Sequence, residues 1–80
     1  MDEEEVGKFV NMVRRSKELS HYMVGKESGL RPSIVKSIEE GEKAFTLRSL
    51  LKVFDVLGLE LRVFYKPIEG EEEEEDNGNQ

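Results

Sequence analysis

Eighty residues allow one small domain, at a size where the core alone is marginal and a staple or a second subunit is the usual remedy. The chain has no cysteine, which excludes disulfides, thiolate zinc sites and cysteine nucleophiles. No run approaches the ~20 apolar residues of a membrane span, and the acidic start lacks the basic-then-apolar order of a signal peptide, so a soluble cytoplasmic protein is expected. The net charge of -6 speaks against a nucleic-acid partner only until it is divided along the chain. Residues 6–68 hold 12 Lys/Arg against seven acids, a balance of +5, and the other eleven acids sit at the two ends.

In chain order, Asp2 is placed to cap a helix whose first turn is Glu3, Glu4 and Glu5, where the helix dipole favours negative charge. Val6, Phe9, Val10 and Val13 then recur at helical spacing, and the helix is expected to reach about Lys17. Ser20 suits the N-cap of a short second helix with Met23 and Val24 inward, closed by Gly29. Pro32 opens a third helix with Val35 and Ile38 inward and Gly41 as its stop. Thr46 caps a fourth, whose apolar stripe is Leu47, Leu50, Leu51, Phe54 and Leu57, ending at Gly58. Phe9, Phe45, Phe54 and Tyr22 read as core or half-buried packing.

After Gly58 the period changes to two. Leu59, Leu61, Val63 and Tyr65 alternate with Glu60, Arg62, Phe64 and Lys66, which predicts one strand over about 59–66 and no other strand in the chain. A lone strand leaves its backbone groups unpaired, so it either pairs with its copy in a homodimer or lies extended on the helices. Phe64, on the polar-alternating face, is a candidate partner contact. Residues 69–80 form an acidic tail expected to be disordered, serving either as a solubilising end or as a competitor for the basic face. The domain is thus 1–68 and the tail 69–80.

The segment from His21 to Glu40 has helix-turn-helix spacing: Gly25 at a close helix crossing, Gly29 in the turn, and Val24, Leu30, Val35 and Ile38 to lock one helix on the other. The run LSHYMVGKESGLRPSIVKSIEEG, from Leu19 to Gly41, resembles the helix-turn-helix of the Cro/phage-repressor family of XRE-type regulators. The likeness extends over about 10–57. Thr46, Leu47 and Arg48, the stripe from Leu51 to Leu57, and Gly58-Leu59-Glu60-Leu61 resemble the branch that contains HipB-type antitoxins. The resemblance implies a mainly α, lambda-repressor-like bundle of four to five helices, with a C-terminal strand that pairs across a dimer.

It also implies that the second helix spans the DNA backbone while the third enters the major groove. Arg31, Pro32, Ser33, Ile34, Lys36 and Ser37 then become base-reading candidates. Arg31 and Lys36 are suited to guanine and Ile34 to a thymine methyl, whereas Pro32 cannot read a base by hydrogen bonding. Ser20, His21, Lys43 and Thr46 are the phosphate candidates, with Arg14, Arg15 and Lys17 adding charge. His21 stands where the family commonly has glutamine. The family's glutamate, here Glu39, ties the third helix to neighbouring backbone, and Lys36 is spaced to pair with Glu40. No catalytic constellation, metal site or cofactor site can be drawn from one His and no Cys. Two functions follow. One is a dimeric regulator of transcription, such as a repressor, on a palindromic double-stranded operator. The other is an antitoxin that neutralises a partner toxin and regulates its own operon.

Overall fold

The computed structural model describes residues 1–42 and 45–68, and among these four helices account for all regular structure. They are α1 (Glu3–Ser16), α2 (His21–Ser28), α3 (Pro32–Glu39) and α4 (Leu47–Leu57). Lys43 and the tail, residues 69–80, lie outside the described residues.

Local chemistry sets each helix start. Asp2 accepts from the Glu5 amide at 2.9 Å while the Glu5 carboxylate accepts from the Asp2 amide at 3.2 Å, a reciprocal capping box. Ser20 Oγ accepts from the Met23 N–H at 3.0 Å, and Thr46 Oγ1 from the Ser49 N–H at 3.1 Å. Helix α3 has no side-chain cap and opens on Pro32, whose missing N–H would have been unsatisfied there in any case. Helix α2 ends at Gly29 in the left-handed region (φ 79°), and α4 ends at Gly58, as expected.

The core draws on all four helices: Val10 of α1, Val24 of α2, Val35 and Ile38 of α3, and Leu50, Val53, Phe54 and Leu57 of α4. The inward face of α4 differs from the expected stripe. Val53 is fully buried, whereas Leu47 and Leu51 are exposed. Positions 47, 50, 51 and 54 and positions 50, 53, 54 and 57 both keep the i, i+3, i+4, i+7 spacing of one face, and packing buries the second set. Phe9, Tyr22 and Met23 are also exposed rather than packed. Phe9 stands about 100° around α1 from the buried Val10, so the two cannot share one inward direction.

The C-terminal segment departs further from expectation. The Leu59 N–H donates back to the Phe54 carbonyl at 2.8 Å, and the Leu59 side chain packs on the core. From Glu60 to Ile68 every residue is exposed, and no strand is present among the described residues. Strand hydrogen bonds need a neighbouring strand, and none is present among the described residues. An apolar groove of about 650 Å³ lies beside the segment, bordered by Phe9, Leu47, Phe54 and Leu61.

Candidate nucleic-acid interface

The α2–α3 pair has the close crossing that a helix-turn-helix needs. A Cβ at Gly25 would stand 2.7 Å from the Leu30 carbonyl oxygen, so only glycine lets the turn fold back this tightly. That turn is closed by the Leu30 N–H donating to the Gly25 carbonyl at 2.8 Å. Helix α3 is thereby seated with Val35 and Ile38 inward, leaving Arg31, Pro32, Ser33 and Lys36 exposed and Ser37 half-buried. Ile34 is not an outward residue. It packs against the core, as its spacing of four from Ile38 dictates, and so is poorly placed for a thymine methyl. The expected Lys36–Glu40 pair does not occur among the described residues. The Arg31 and Lys36 cations therefore have no intramolecular partner there.

Behind α3 lies a knot of polar side chains that joins three helices. Arg14 of α1 donates from Nε to Glu39 Oε2 at 2.5 Å, from Nη2 to Oε1 at 3.1 Å, and from Nη1 to the Leu19 carbonyl at 2.7 Å. Asn11 of α1 adds a bond to Glu39 Oε1 at 2.8 Å, and His21 Nε2 of α2 meets the same oxygen at 2.9 Å. Only 5 % of the Glu39 side chain is exposed. Burial pushes its carboxyl up, but the hydrogen bonds from Arg14, Asn11 and His21 and the Arg14 charge outweigh it. The result lies below the ordinary 4.5. Since the ionised carboxylate only accepts, His21 Nε2 must carry a proton.

This knot corrects one expectation and extends another. Arg14 is 8 % exposed with its guanidinium spent on Glu39 and Leu19, so it is not a phosphate contact. Glu39 is structural as expected, but it ties α3 to side chains of α1 and α2 rather than to backbone. The remaining phosphate candidates lie apart from the knot: Ser20 and Thr46 cap α2 and α4, and Arg15 and Lys17 are exposed. Two supporting residues escaped the sequence reading. Asn11 lies off the apolar face of Val6, Phe9, Val10 and Val13, and Gly7 carries no turn signal. A Cβ at Gly7 would overlap the carbonyl oxygens of Ile38 and Glu39, so Gly7 is what lets α1 pass against the end of α3.

Four helices with a glycine-tightened α2–α3 turn and an outward polar face on α3 define a helix-turn-helix protein. The helix-turn-helix family model HTH_3 matches residues 10–64, and the chain belongs to this XRE-type family. Among solved structures, the chain is similar to the restriction-modification controller protein C.AhdI from Aeromonas hydrophila. The identity is 29 % and the TM-score 0.67, over 72 % of this chain and 88 % of that one. It shares its fold with a chain of the HipA-HipB-O2-O3 complex, at 15 % identity and TM-score 0.76 over 84 % of this chain and 94 % of that one. A structure described as MDT Protein is similar to the same degree. No curated protein matches the chain. No described helix is long and apolar enough to cross a membrane.

Proposed function

We propose that the protein is a dimeric, sequence-specific DNA-binding regulator of transcription that inserts α3 into the major groove. The observation that carries this reading is the division of α3. Val35 and Ile38 are wholly buried, while Arg31, Ser33 and Lys36 face solvent with side chains that have no partner among the described residues. Arg31 and Lys36 donate to guanine edges, Ser33 and Ser37 serve as donors or acceptors, and Pro32 shapes the start of the helix. Ser20, His21 and Thr46, with the charges of Arg15, Lys17 and Lys43, hold the phosphates and fix the register. The test is binding to the upstream region of the protein's own gene across a salt series. Affinity is expected to fall steeply with salt and to exceed that for random DNA, and a flat profile without preference contradicts the proposal.

The dimer is the second part of the proposal. Val63 and Phe64 are 88 % and 83 % exposed beside an apolar groove, on a segment with strand-like alternation that forms no strand among the described residues. Pairing of residues 59–66, from Leu59 and Leu61 through Tyr65, with the same segment of a second copy supplies the missing ladder. It sets two α3 helices for successive major grooves of a palindromic operator, about 34 Å apart. The same exposed apolar segment also supports an antitoxin role, in which a toxin is bound by this protein while it represses its own operon. Rescue of cells from the product of the adjacent gene by co-expression is expected on that reading, and failure to rescue counts against it.

A further inference from the structure

We propose that His21 makes DNA binding proton-linked: the imidazole takes up a proton as a phosphate closes on it, so affinity rises as pH falls. The inference rests on the reading of the α2–α3 face as a DNA interface, and it concerns a residue where this chain differs from the family's common glutamine. Glu39 holds Nε2 at 2.9 Å and fixes its proton, which leaves Nδ1 as the nitrogen that gains or loses one. Nδ1 has no hydrogen-bond partner among the described residues, and about a third of the side chain (34 %) is exposed.

The charges around the ring make its second proton count. Helix α3 presents Glu39 directly and α1 presents Arg14, whose Nη2 shares Glu39 Oε1 with His21 Nε2, so that the Glu39 and Arg14 charges cancel beside the ring. Asn11, also from α1, is neutral. No charged group of α4 pairs with any member of this cluster among the described residues. A protonated His21 is therefore one uncompensated cation at the start of α2, beside the capping Ser20. In the free protein nothing among the described residues accepts from its new N–H. A phosphate oxygen does accept from it, and its charge favours the proton. By linkage, a duplex that favours the protonated ring is itself bound more tightly when the ring is protonated.

The experiment measures the affinity of the intact chain for a random-sequence duplex at fixed ionic strength between about pH 8 and pH 5.5, spanning ordinary imidazole titration. The same series is run on His21→Gln, which keeps a donor for Glu39. The intact protein is expected to gain up to about tenfold in affinity for each unit by which DNA raises the imidazole's midpoint. His21→Gln, which leaves the chain without an imidazole, is expected to give a flat profile. The salt slope of the intact protein should steepen on acidification by about one counterion. Firm binding with a flat profile, or the same profile in His21→Gln, overturns the inference and leaves the DNA-binding reading standing. No binding at any pH overturns both. Should His21→Gln fold poorly, the intact chain decides the matter, because His21 is its sole histidine. Its imidazole NMR signal must titrate at higher pH with duplex present, and an unchanged midpoint overturns the inference.

Discussion

The polar knot behind α3 and the segment after Gly58 differ in how far the rest of the chain encloses them. In the knot, Glu39 receives bonds from Arg14, Asn11 and His21, so three helices are tied together inside one chain. In the segment, residues 60–68 are all exposed and form no strand among the described residues. The contrast teaches that the α2–α3 unit is tied together within one copy, whereas the segment after Gly58 leaves large apolar side chains such as Val63 and Phe64 exposed.

The largest expected effect comes from breaking the knot. Glu39→Ala leaves the buried Arg14 charge uncompensated and should cost about 3–5 kcal/mol in urea unfolding, enough to unfold much of a small domain. Stability equal to that of the parent would mean that the knot does not hold α3. Next, Gly25→Ala forces a methyl group against the Leu30 carbonyl and should cost about 1–3 kcal/mol, read as a lower urea midpoint with unchanged slope.

A milder disturbance of the same region is acid. The Glu39 carboxyl titrates lower in the folded chain than its ordinary 4.5, so its contribution is fully present above that value. It is lost as pH falls through the lower folded value, and a thermal-melt series should show Glu39→Gln less acid-sensitive than the parent. On the other side of the comparison, Val63→Glu and Phe64→Glu should leave the monomer's helical circular dichroism intact. They should abolish the concentration dependence of sedimentation that a dimer produces. Unchanged sedimentation with a dimeric parent would place the interface elsewhere.

Signals that act over a few residues were legible in the sequence. Asp2, Ser20 and Thr46 cap as their types dictate, and Gly25, Gly29 and Pro32 mark the helix-turn-helix, because a cap or a turn is decided by neighbours in the chain. The knot was not legible as a unit. Arg14 reads as added charge and Glu39 as a tie to backbone, and the two, 25 positions apart in sequence, meet only when α3 folds back on α1. The face of α4 was legible only in part, because five apolar residues cover more of the helix than one core contact, and only packing selects Val53 over Leu47 and Leu51. The strand was read from a two-residue alternation, and no strand forms among the described residues.

The central claim is that the outward face of α3 touches DNA while the C-terminal segment does not. The most direct measurement is amide NMR mapping of the intact protein as a duplex from its upstream region is added. Perturbations concentrated at Arg31, Ser33, Lys36 and Ser37, with a second group at Ser20 and His21 and none at 60–68, are the predicted result. Perturbations confined to 60–68, or spread evenly over the surface without saturation, would contradict it.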